Sequence, residues 1–192
     1  MSTSTADKLT AVIAQVAAAG NADVLRLTVL KKWFERPGRL QAFALWVAWR
    51  ALEQGRAAEA PASDLFAEAE MLLLHRGPGG RLYRDAAERL HRRLQSFQDT
   101  YKRLKWGSVR IVRDANLMLI EDALTLYLWH PDAPTLGYRL AVDFAAHYDP
   151  HFGNGLNGPS LGRLQDLVDF VRGREALESE AADRPPPTNR AP

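Results

Sequence analysis

His147, Asp149 and His151 stand at alternate positions of one short run, H-Y-D-P-H, and are the side chains in this sequence best spaced to share a cation. Pro150 bars a helix through them and biases Asp149 toward extended backbone, in which alternate side chains point to one side. Two imidazoles and a carboxylate on one arc make three ligands of a metal site, with His130, His75 or Asp143 as sources of a fourth. The simpler use of the same residues is to cap helix ends and bond backbone. The run continues into Gly153-Asn154-Gly155-Leu156-Asn157-Gly158, which spells G-x-G-x-x-G. A dinucleotide site needs that string between a strand and a helix, with an acidic residue ending the next strand. A segment of helical character and the stretch A-A-H-Y-D-P-H-F precede it here, and no second strand follows, so no dinucleotide is expected. An anion loop remains open. Asn154, Gly155, Asn157 and Gly158 can leave backbone N–H groups uncovered, and Ser160 can cap the helix that follows. Arg163 places a cation in a first turn, where the helix dipole disfavours it unless an anion is bound. As turn dipeptides, Asn154-Gly155 and Asn157-Gly158 serve equally well as a plain connection.

Phosphate recognition by charge alone needs clustered cations, and this chain concentrates them. Residues 81 to 113 carry ten Arg or Lys against three Asp or Glu, net +7, whereas residues 114 to 192 are net −6 and residues 1 to 80 net +1. Arg84, Arg89, Arg92, Arg93, Lys102, Arg103, Lys105, Arg110 and Arg113 are the candidate basic surface. Tyr83 or Trp106 could supply stacking planes for bases. The alternative is that these cations face the acidic last third of the same chain, or of a second copy.

Within that segment Arg84 and His91, with six residues between them and Asp85 after the arginine, resemble the R-x4-6-H signature of HEPN-type ribonucleases. Seven residues is nearly two helical turns, so the two side chains share a face. The resemblance covers eight residues. It implies an all-helical fold and RNA cleavage through that pair.

The elements that must position these residues read as helices throughout. Leu9, Val12, Ile13 and Val16 mark a first helix ending at Gly20, and Val24, Leu27, Leu30 and Phe34 a second, before Pro37-Gly38. Leu40, Phe43, Val47 and Ala51 carry a third to about Gly55, and Ser63 or Asp64 caps a fourth through Leu73. The fifth is the longest, with Leu82, Ala86, Leu90, Leu94, Phe97, Tyr101 and Leu104 as one stripe. S-V-R-I-V-R reads as a short extended piece, and Asp114 as the cap of a sixth helix reaching Trp129, with Glu121 and Asp122 outside. Thr135 to Tyr148 fits a strand or a helix, and its alanines favour the helix. Leu161 to Val171 is the last. Trp33, Phe34, Trp46 and Trp49 fall in one helical hairpin, where core packing or an exposed binding tryptophan would account for them.

The sequence therefore predicts an all-α single domain of seven to eight helices over residues 6–174. A disordered N-terminus, 1–5, and a disordered acidic, proline-rich tail, 175–192, are expected on either side. With no cysteine, thiol catalysis and Cys-ligated metals are excluded. The N-terminal run loosely imitates a secretory signal, but Asp7 and Gln15 break the pattern, and a cytoplasmic setting is expected. No nucleophile–base pair, carboxylate dyad or phosphate loop stands out, and no cofactor is expected. The leading expectation is a non-enzymatic adaptor or assembly factor that binds another protein or a second copy of itself, away from membranes. The alternative is a nucleic-acid-binding helical protein, in its sharper form the ribonuclease above.

Overall fold

The computed structural model describes residues 3–19, 27–57, 63–104, 115–146 and 161–182. Among them are eight α-helices and no strand: α1 (Thr5–Ala19), α2 (Val29–Phe34), α3 (Arg39–Ala57), α4 (Ser63–Leu74), α5 (Arg84–Leu104), α6 (Ala115–Trp129), α7 (Pro134–Ala146) and α8 (Leu161–Ala182). The all-α architecture expected from periodicity is the architecture observed. The segment that fitted strand or helix is α7, and its Leu140, Ala141, Phe144 and Ala145 bury one helical face.

α3 and α6 form the spine. α3 starts from a turn in which Gly38 has φ 78°, a left-handed conformation that glycine adopts without a Cβ clash. From there Leu40, Phe43, Ala44, Val47, Ala48, Ala51 and Leu52 are all buried. α6 buries Leu117, Leu119, Ile120, Ala123, Leu124 and Leu126, an apolar surface reaching most of the way round, as in a helix surrounded by others. α4 packs on α3, α5 packs on α4 and α6, and α7 packs on α2, α3, α6 and α8, while α8 lies along α1.

Contacts between named residues fix the directions. Gly55 near the end of α3 meets Phe66 near the start of α4. Arg93 of α5 pairs with Glu68 of α4. The Leu82 N–H just before α5 donates to the Tyr127 hydroxyl late in α6 at 3.1 Å. Neighbours in the α3–α6 square therefore alternate in direction, which its short connections favour. α8 runs against α3 in the same way, with Arg163 bonded to Gln54, Asp166 to Arg50 and Glu178 to Arg39. One end of the molecule thus gathers the start of α3, the ends of α4 and α6, the start of α5 and the last turns of α8.

Two glycines set close helix approaches. A Cβ on Gly55 would collide with the ring of Phe66, and one on Gly137 of α7 with Leu40 and Phe34. Behind them the aromatics of the α2–α3 hairpin meet α7 and α8. Trp46 stacks on Phe170 at 4.7 Å and tilts against Phe144 at 5.0 Å, and Trp33 meets Phe34 edge-on at 5.3 Å. Trp33 is 3% exposed, so core packing accounts for it.

α8 continues to Ala182, well beyond residue 174, where apolar periodicity stops. No residue after Val171 in it is buried. A carboxylate holds the extension instead, since Glu178 accepts from Arg39 Nε at 2.9 Å and from Arg36 at 3.4 Å. Arg39 is itself buried, lies 4.5 Å from the centre of the Trp33 ring and donates to the Trp33 carbonyl at 3.2 Å. The guanidinium keeps the Glu178 carboxyl below the ordinary carboxylate range.

Candidate interaction surfaces

α5 is built to show cations outward. Ala87, Leu90, His91 and Leu94 are buried, which turns Arg84, Arg89, Arg92 and Arg93 to the exposed side. Two of the four are engaged within the chain. Arg84 Nε donates to Glu88 one turn along at 2.7 Å, and Arg93 pairs with Glu68. Arg89 and Arg92 make no ion pair among the described residues. Among the described residues the side-chain partners of this helix are Glu88 of α5 itself, Glu68 of α4, and Thr125 and Glu121 of α6, the last two inside the acidic last third of the chain. Lys102 and Arg103 fall on the last turn of α5, and Lys105, Arg110, Arg113 and Trp106 lie outside the described residues.

Arg84 and His91 meet different surroundings. Arg84 opens α5 in solvent, while His91 is 5% exposed and packs edge-on against Trp129 at 4.5 Å. Its Nε2 lies 2.8 Å from Thr125 Oγ1 and 3.0 Å from Glu121 Oε1. Both contacts fall on one nitrogen, so no hydroxyl–imidazole–carboxylate relay forms, because a relay needs the two ring nitrogens separately. Burial lowers the His91 pKa against the opposing pull of Glu121. Glu121, expected on the outside of α6, is turned inward by this pairing.

The neighbouring carboxylate borders a cleft of about 430 Å³ between α6 and α7, walled by Asp122, Thr125, Tyr138, Arg139 and Asp143. Asp122 keeps an exposed surface, yet burial of its carboxyl, then the like charges of Glu121 and Asp143, push it up to about 6. Burial also raises Asp143, with Arg139 opposing. Periodicity gave no sign of this cleft, since its carboxylates come from two helices whose pairing the sequence does not state.

The loop candidates His147, Asp149, His151, Asn154, Gly155, Asn157, Gly158 and Ser160 lie outside the described residues. Of their proposed fourth ligands, His75 Nδ1 sits 3.1 Å from the Met71 carbonyl and Asp143 lies in the cleft. Among the described residues no group of three or more His, Cys, Asp or Glu is placed to hold a metal ion. Arg163 is described, and it turns away from the start of α8. It is buried over the Phe144 ring, donates to the Phe144 carbonyl at 3.1 Å and bonds to Gln54. Phe144 is in the last turn of α7, whose carbonyls lack helical partners and carry the negative end of the dipole. The cation that looked misplaced at the start of one helix thus caps the end of another.

Exposed apolar side chains complete the surface. Met71 (58%), Leu74 (56%), Tyr83 (56%) and Trp129 (42%) stand at the one end where α4 and α6 finish and α5 begins. Among the described residues the exposed tryptophan is Trp129, which the sequence marked only as the end of the sixth helix, and not one of the tryptophans of the α2–α3 hairpin. Around them Arg76, Arg81 and Arg84 are exposed. No helix of the described residues is long and apolar enough to cross a membrane. Compared with protein-family models, with curated proteins and with solved structures, the chain matched none.

Proposed function

We propose that this chain is a non-enzymatic helical adaptor that binds another protein through the end of the bundle formed by α4, α5 and α6. The observation that carries this reading is the set Met71, Leu74, Tyr83 and Trp129, large apolar side chains left in solvent at one end of the bundle, with exposed Arg76, Arg81 and Arg84 beside them in the chain. An apolar centre with a charged border is the usual anatomy of a protein interface, and Tyr, Trp and Arg are its commonest anchors. The arrangement at His91, where one nitrogen serves both neighbours, adds support to a binding role over catalysis.

Affinity purification from the native host, with and without nuclease, tests it. A nuclease-resistant protein partner retained by the wild type and lost by Leu74→Asp/Tyr83→Asp is expected. A double variant that keeps every partner would sink the reading.

The guanidinium groups of Arg89 and Arg92, without an ion pair among the described residues, favour a second reading, a nucleic-acid contact along α5 with Tyr83 and Trp129 as stacking planes. Binding to single-stranded RNA or DNA would then weaken with salt at a log–log slope of about −0.7 per phosphate contacted. Arg89→Ala/Arg92→Ala would reduce that slope by about 1 to 2. No measurable binding at low salt, or an unchanged slope, rejects it.

A further inference from the structure

We propose that the apolar end formed by α4, α5 and α6 receives the last three turns of α8 from a second copy of this chain, in a two-fold pair. The proposal rests on reading that end as a protein-binding surface, and it names the partner.

The donor element is unusual for its exposure. Residues 172–182 prolong α8 with no buried side chain, and a helical run of that length is marginal in water without packing. Its outward face centres on Leu177, 60% exposed. One turn earlier on that face is Gly173, where an added Cβ would meet nothing within 4 Å, and one turn later is Glu180. A glycine in a helix interior costs stability relative to alanine, and no contact among the described residues accounts for it. Close approach of another helix would. Glu178 ties the arm beside the start of α3, so Leu177 is held out from its own body.

The receiving end matches in apolarity and in charge. Met71, Leu74 and Tyr83 offer apolar surface to one leucine. Residues 75–93 carry six arginines against two acidic residues, while residues 173–182 carry one arginine against three glutamates. Glu180 on the outward face of the arm, and Arg81 and Arg89 at the receiving end, make no ion pair among the described residues. A charge match of this kind steers association and fixes its register. Both halves also lie at the same end of the molecule. Two copies meeting end to end therefore satisfy both contacts at once, and a two-fold pair closes on itself without growing into a filament.

Sedimentation of the full chain tests the pairing. A two-chain species at about 100 μM in low salt is expected, with a dissociation constant rising at least about tenfold by half-molar salt as the charges are screened. Leu177→Asp is expected to weaken pairing at least about tenfold with helical circular dichroism unchanged, because Leu177 is not part of its own core. Glu180→Arg and Arg81→Glu/Arg89→Glu should each weaken the pair, and mixing the two variants in equal amounts should restore it. A wild type that stays monomeric at that concentration overturns the proposal, as does a pair indifferent to Leu177→Asp and to both charge reversals. A monomeric chain that still loses a different host protein on Leu74→Asp/Tyr83→Asp leaves the adaptor reading standing and removes only the second copy. Pairing unchanged by Leu74→Asp/Tyr83→Asp rejects the receiving surface itself.

Discussion

Asp122 has Glu121 beside it on α6 and Asp143 across the cleft on α7, and its carboxyl titrates at about 6 in place of 3.8. Between those values the folded chain holds more protons than the unfolded one, so this group's contribution to stability falls as pH rises through the window and stays low above it. A shift of this size corresponds to about 3 kcal/mol at full strength, which solvent screening at an exposed site reduces to about 1 kcal/mol. Asp122→Asn should therefore raise the melting temperature at neutral pH, and the gain should vanish near pH 4, where the wild-type carboxyl is protonated. An equal gain at both pH values would contradict this account. His91 has the opposite sign. Its lowered pKa means that stability is complete above the ordinary histidine value and is lost as pH falls through the folded one. Differential scanning fluorimetry across pH should show His91→Gln flattening the acid limb, and a limb as steep as in the wild type would place the titration elsewhere.

Among the elements, Gly137 of α7 and Gly173 of α8 have opposite surroundings. Gly137→Ala forces a methyl group into Leu40 and Phe34 and should cost about 1 to 3 kcal/mol in chemical denaturation. Gly173→Ala meets open space and should stabilise the monomeric chain by about 0.5 to 1 kcal/mol. Glu178→Ala deprives buried Arg39 of its carboxylate, at a cost of about 2 kcal/mol. Amide exchange in residues 172–182 should quicken in the same variant, and unchanged protection there would mean that the salt bridge is not what holds the arm. These pairings explain what the sequence could and could not disclose. Helix number and most boundaries follow from i, i+3 and i+4 apolar spacing, which is local. The extension of α8 does not, because it is fixed by a charge 139 residues away in the chain. Arg163 stood out as a cation at the start of a helix, but its reason, the carbonyl of Phe144, is visible only once α7 and α8 are side by side. The exposure of Trp129 was hidden for the same cause: helical spacing marks a stripe, and whether a neighbour covers the end of that stripe depends on the fold.

For the whole molecule, the charge asymmetry along the chain becomes a spatial one. α5 pairs with α4 through Arg93 and meets α6 through His91, α8 keeps its ion pairs with α3, and in the proposed pair the arginines left over on α5 would face the glutamates left over on α8 of the second copy. Thermal stability should accordingly depend on protein concentration at low salt, since association stabilises whatever it binds. The melting temperature should rise between about 1 and 100 μM in the wild type and stay level in Leu177→Asp. A wild-type melting temperature that is flat over that range would separate folding from pairing altogether. The glycines that set the close helix approaches have one more consequence. Gly55 and Gly137 admit no side chain, and Glu178 admits no replacement without a new carboxylate for buried Arg39. Descendants of this architecture should then resemble one another at four scattered points, two glycines, an arginine and a glutamate, long after their overall identity has faded. That sparse fingerprint, 82 residues from glycine to glycine and 139 from arginine to glutamate, is what a search for its kin should look for.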